Sequence, residues 1–178
     1  MALSKIDAAN FLDGTLPDTN INNASLDNVT GLPAGVGGKV LQVVNATFGT
    51  ATQSTSSTFA DLGLSASITP SSTLSKILVA VHLSGCQKSG DALLGTRLLR
   101  DSTTIYTIDN MALRTQTATE NAIGSVSTSY LDSPSTTSAT TYKVQFRSVT
   151  NVSYVYINND YSGGSSSNIT LMEIAGWL

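Results

Sequence analysis

Thr140-Thr141-Tyr142-Lys143-Val144-Gln145-Phe146-Arg147 alternates without a break. Tyr142, Val144 and Phe146 fall on one side, and Lys143, Gln145 and Arg147 on the other. A period of two marks a strand with one buried and one wet face. Ser75 to Ser84 repeats the pattern, with Ile77, Val79, Val81 and Leu83 set against Lys76, Leu78, Ala80 and His82. Outward from these two anchors, strands are expected at Lys39–Phe48, Leu64–Thr69, Ala92–Arg100, Thr103–Ile108, Ala122–Leu131, Asn151–Asn158 and Asn168–Leu178. Turn formers separate them: Pro70, Arg100-Asp101-Ser102 and Asp132-Ser133-Pro134. Asp109 to Thr117 is the one weak candidate for a helix.

Eight or nine short strands with turns every 8–14 residues indicate an all-β protein, an antiparallel β-sandwich of jelly-roll type. Val79, Val81, Tyr142, Val144, Phe146, Ile169 and Leu171 are its expected core. The final Trp177-Leu178 reads as part of a core strand.

Residues 1–38 read differently. Ile6, Phe11, Leu12, Leu16, Ile21, Leu26, Val29 and Leu32 are sparse apolar residues among Asp, Asn, Thr, Gly and Pro. They show neither a helical stripe nor sustained alternation. Such a segment cannot bury enough apolar surface to offset about 1–2 kcal/mol of backbone ordering per residue. Two readings stand: a flexible tail, or an extended arm whose apolar residues anchor it on neighbouring subunits. The second is the expectation adopted, with 1–38 as the anchor arm and 39–178 as the sandwich domain. Pro33-Ala34-Gly35-Val36-Gly37-Gly38 would be the hinge.

Composition narrows the function. Of 178 residues, 49 are Ser or Thr, and only 12% are charged, about half the usual share of roughly 25%. Such a surface is wetted by hydroxyls and amides. Nine Lys and Arg against 12 Asp and Glu give a net charge of -3. That argues against nucleic-acid binding, which needs a basic face, and against a polybasic membrane surface. No apolar run approaches the roughly 18 residues needed to cross a bilayer. Met1 to Asp7 lacks the apolar core of a signal peptide, so synthesis in a cytosol is expected.

Candidate chemistry is thin. Cys86 and His82 are the single Cys and His, which leaves no disulfide framework and little for zinc. His82 lies on the polar side of its strand, with no Gly-x-Ser-x-Gly elbow in the chain. Cys86 reads as a bystander thiol. The acids fall mostly in turns, with no pair placed for glycoside cleavage. Glu173 is the exception, inside the last strand. It is expected on the wet face, or paired with an Arg across a subunit contact. Asn158 to Gly164 is rich in oxygens, but a plain turn is favoured over calcium there. No catalytic residue, cofactor or metal is expected. Exposed aromatics beside amides suit a recognition surface, so Tyr130, Asn159, Asp160 and Tyr161 are the candidate receptor-facing residues.

One succession of phrases carries a resemblance. Gly38-Lys39-Val40-Leu41-Gln42-Val43-Val44 is followed by Leu64-Ser65-Ala66-Ser67-Ile68-Thr69-Pro70 and its continuation to Val79. Tyr130-Leu131-Asp132-Ser133-Pro134, Thr140 to Arg147 and Ser167 to Ile174 then come in order. Over residues 38–178 the chain resembles the fibre-like β-domain of tail-fibre proteins in tailed bacteriophages, notably phages of aquatic bacteria. Leu12-Asp13-Gly14-Thr15-Leu16-Pro17 is similar to the leaders that precede such domains.

The resemblance implies a non-enzymatic protein on the virion surface, of tail or head, built as a homotrimer. Its partners would be its own copies, other virion proteins (tail and baseplate, or the major capsid protein) and a host surface glycan or protein. It implies no nucleic-acid contact and no membrane insertion. The chain lacks a long shaft. Two roles therefore follow: a short tail fibre or adhesin, and a capsid decoration protein whose arm lies across capsid seams.

Overall fold

A computed structural model of the chain describes residues 40–115, 122–159 and 164–176. The arm residues, Asp160 and Tyr161 lie outside the described residues, as do Trp177 and Leu178. Ten strands run in chain order: β1 Val40–Phe48, β2 Thr52–Ser54, β3 Ala60–Ile68, β4 Lys76–Lys88, β5 Leu94–Arg100, β6 Thr103–Ala112, β7 Ala122–Asp132, β8 Thr140–Ser148, β9 Val155–Ile157 and β10 Ser167–Ile174.

All pairings are antiparallel. They nest around one turn. β5 pairs with β6, β4 with β7, β3 with β8, and β1 with β10. The body is thus one long hairpin, its tip at Asp101 (φ 53°), rolled over on itself. Rolling adds hydrogen bonding between β10 and β4 and between β8 and β5. It leaves the order β1-β10-β4-β7 in one sheet and β3-β8-β5-β6 in the other. That is a jelly roll, in which successive strands cross between two sheets and bury a shared interior. The short β9 pairs with the far end of β4 and carries β2 outside it.

The alternation works as read. Ile77, Val79, Val81 and Leu83 of β4 face inward, with Tyr142, Val144 and Phe146 of β8 and Ile169 and Leu171 of β10. Burying each such side chain stabilises the fold by roughly 1.5–3 kcal/mol relative to leaving it exposed. Val155 and Ile157 are buried, and Tyr154 on the other side of β9 is exposed.

Two local expectations are corrected, and one strand, β2, was not announced. Asp109 to Ala112 finishes strand β6, and no described residue is helical. β2 breaks no run of polar residues in the sequence, so alternation could not announce it; its three residues pair with β9. β9 itself is three residues long, and Asn151 to Ser153 form the bend before it.

β4 changes character at Gly85. Its φ is +55°, and a Cβ there would stand 2.7 Å from Ser165 Oγ and 2.9 Å from the Asn159 backbone nitrogen. Glycine alone combines that backbone with that approach. The register shifts between Leu83 and Cys86, and the residues that follow, Cys86, Gln87 and Lys88, are all buried.

Candidate functional site

The buried polar groups show what chemistry the body contains. Glu173 was expected at a wet face or in a subunit contact. Instead it shares the inward side of β10 with Ile169 and Leu171 and is fully buried. It accepts hydrogen bonds from the Ser71 backbone nitrogen (2.7 Å), Ser71 Oγ (2.6 Å) and Gln42 Nε2 (2.6 Å). Burial alone would raise its pKa. The donors from Ser71 and Gln42 outweigh that and hold the carboxyl down at about 2. Gln42 also donates to the Thr69 carbonyl. One carboxylate thereby fastens β1 and the turn after β3 to the end of β10.

A second clasp closes the other side of the sandwich. Asp132, at the end of β7, accepts two hydrogen bonds from Arg100 Nη1 on β5 (2.9 and 3.0 Å) and one from the Tyr142 hydroxyl on β8 (2.7 Å). Burial and then the Asp132 hydrogen bond push the Tyr142 phenol well above its ordinary range. A third network lies where β4 bends. Asn158 Nδ2 donates to the Phe48 carbonyl, and Ser167 Oγ donates to Asn158 Oδ1 at 2.6 Å. All three networks join strands that are distant in sequence.

The nucleophile candidates fare as follows. Cys86 is buried, and burial pushes its thiol up to about 12, so it carries no thiolate at neutral pH. His82 Nδ1 lies 2.7 Å from Ser127 Oγ, a distance at which a base could serve a nucleophile. The pair sits on the outward side of β4 and β7, in lateral register with Asn168 of β10. Among the described residues no carboxylate is bonded to the imidazole, and the pair reads as one rung of a polar ladder. No group of three His, Cys, Asp or Glu side chains among the described residues could hold a metal ion.

Of the predicted recognition residues, Tyr130 and Asn159 fall among the described residues and stand apart. Tyr130 is half-buried opposite Val79 and stacks on Tyr106 of β6, with ring centroids 5.0 Å apart. Asn159 lies beside the bend of β4, its backbone nitrogen on the Gly85 carbonyl and its Nδ2 on Gln87 Oε1. Six residues of β4 separate these places, roughly 20 Å of strand. Two further surface features are present. Tyr154 and Tyr156 stack at 5.8 Å. Arg97 and Arg147, on the outward side of the second sheet, both lie against the Phe59 ring, at 4.1 and 4.4 Å. Lys143 beside them pairs with Asp61 at 2.9 Å, a contact that with Gln145 lowers the Asp61 pKa.

No family model matches the chain, and no curated protein matches it. Among solved structures, it is similar to the VP2 subviral particle of infectious bursal disease virus, at 13% identity and a TM-score of 0.38 over 76% of this chain and 37% of that one. The Gx strain of the same virus gives 13% identity and a TM-score of 0.38, over 77% and 33%. The chain therefore spans about a third of the length of these neighbours. At that level the likeness assigns no role to any residue. Neither neighbour is described as a tail fibre, so the fibre resemblance read in the sequence remains a proposal.

Proposed function

We propose that this chain is a non-enzymatic structural protein of a virion, and within that class a short trimeric tail-fibre or adhesin subunit. Its arm, residues 1–38, would be anchored in the tail, and its jelly-roll body would meet the host surface. The observation that carries the reading is the use of the buried polar groups. Glu173, Asp132 and Asn158 are each consumed in joining distant strands, which gives these buried groups a structural task. A hydroxyl-rich, low-charge exterior suits a part that associates with its neighbours and stays inert once assembled. Affinity for a receptor would come from weak contacts repeated on each copy. Asn159, Asp160 and Tyr161 are the proposed receptor-facing loop, with Tyr130 and Tyr106 as a second aromatic surface.

The eight apolar residues spread through the arm suit a second reading equally, a decoration protein whose arm lies along capsid seams. Adsorption competition separates the two. As an adhesin, the purified full-length protein blocks adsorption of the phage that carries it, and Tyr161→Ala loses the block at unchanged melting temperature. As a decoration protein, it leaves adsorption untouched and binds heads stripped of their own copies.

A further inference from the structure

The outward side of the first sheet carries a pattern that the fold does not require. Antiparallel register sets one outward residue from each strand into lateral rows. Val43, Met172, Leu78 and Leu131 form one row, and Val40, Ile174 and Lys76 the next. Two further rows follow along the strands: Asn45, Thr170, Ala80 and Ser129, then Thr47, Asn168, His82 and Ser127. One half of the face is therefore apolar and the other is hydroxyl and amide. Val43 and Leu131 are each 56% exposed. Leu41, the extra residue where the register shifts between Val40 and Gln42, is exposed too.

We propose that this face of β1, β10, β4 and β7 is the surface through which the chain associates with a second copy of itself. The inference rests on the self-assembling role proposed above; a face that meets its own kind closes as a two-fold pair, where the trimer would need unlike faces in contact. Three features select a second copy as the occupant. The first is area. Four strands about 4.8 Å apart and four rows about 6.8 Å apart span roughly 500 Å² per copy in projection. A pair then covers about 1,000 Å², where a specific interface begins.

The second feature is charge. Lys76 and His82 are the titratable side chains in these rows, and both are tied down locally, on Ser133 Oγ and Ser127 Oγ. Glu173 and Asp132, at the ends of the same strands, are buried on the other side. The face thus carries one cation, Lys76, in its outermost row, and a strongly charged partner finds little to pair with across the rest.

The third feature is the polar half. Hydroxyls and amides both donate and accept, so they can pair with their own kind. A lipid surface would strand them without partners. In addition, among the described strands β1 pairs on one side only, with β10. An edge strand flanked by exposed Val40, Leu41 and Val43 invites association unless something covers it.

Sedimentation velocity on the full-length chain at about 1–100 µM tests this. The wild type should sediment at two or more times the 18.5 kDa of one chain. The double variant Val43→Glu, Leu131→Glu should fall to the single-chain mass with unchanged circular dichroism, because both side chains already point to solvent. Val152→Glu, at a residue 69% exposed in the bend before β9, should keep the wild-type mass. A wild type that is monomeric throughout overturns the inference, and so does a double variant that keeps the wild-type mass. If the protein is found in virions but is monomeric, the inference and the trimer fall, and the reading as a virion part stands. If it associates through this face but is missing from virions, the reverse holds.

Discussion

Glu173 makes the stability of the body depend on acid in a defined window. Its folded pKa is held at about 2, against an ordinary 4.5. A depressed carboxyl contributes stability that is fully present above the unfolded pKa and is lost as pH falls through the folded one. The window therefore runs from about pH 4.5 down to about pH 2. At 1.36 kcal/mol per pKa unit, the shift corresponds to about 3 kcal/mol. The assay is urea unfolding followed by circular dichroism at half-unit steps from pH 7 to pH 2, on the wild type and on Glu173→Gln.

The glutamine keeps the shape but turns an NH2 towards donors from Ser71 and Gln42. It should cost about 2–3 kcal/mol at pH 7, the range for a lost hydrogen bond to a charged group. The gap between the two proteins should then close as pH falls below 4.5. Asp61, whose pKa is also lowered, is common to both proteins and drops out of the difference. Parallel profiles between pH 4.5 and 2 would refute the argument.

Other outcomes follow from the same contacts. Tyr142→Phe removes a hydroxyl from buried Asp132 and should destabilise by about 1.5–3 kcal/mol in urea titrations. Arg100→Ala leaves Asp132 without its cation and should cost about 3 kcal/mol. Lys143→Ala breaks an exposed pair and should cost less than about 1 kcal/mol, a loss that added salt erases. Leu171→Ala opens a cavity in the core and should cost about 2–5 kcal/mol, seen as a lower urea midpoint at constant slope. Cys86 should resist a disulfide reagent in the native protein and react once urea exposes it.

What the sequence made legible was local. Tyr142, Val144 and Phe146 announced their strand because alternation is written within eight residues, and Ile77 to Leu83 did the same. The pairing of β1 with β10 joins residues more than a hundred positions apart, and nothing in either strand names its partner. The jelly-roll class could be read from strand number and spacing, whereas the nested order needed coordinates. Glu173 was readable and was misread. It stands two residues from Leu171 and four from Ile169, so strand parity already placed it inward. Its charge suggested water, because donors from Gln42 and Ser71 lie far away in sequence. Asp109 to Ala112 has a mixed composition that fits a helix turn or a strand end equally, and pairing with β5 decided it. The row of Val43, Met172, Leu78 and Leu131 was invisible for the same reason as the strand order. Each residue looks like a lone apolar break on a polar face until the register sets them side by side.

The proposed role as a virion part is tested most directly by counting copies. Quantitative mass spectrometry of purified virions, scaled to the major capsid protein, gives the number. A tail fibre predicts a few tens of copies, about 18 for a sixfold set of trimers. A count in the hundreds would move the protein to the head as a decoration subunit. Absence from the virion would contradict the account.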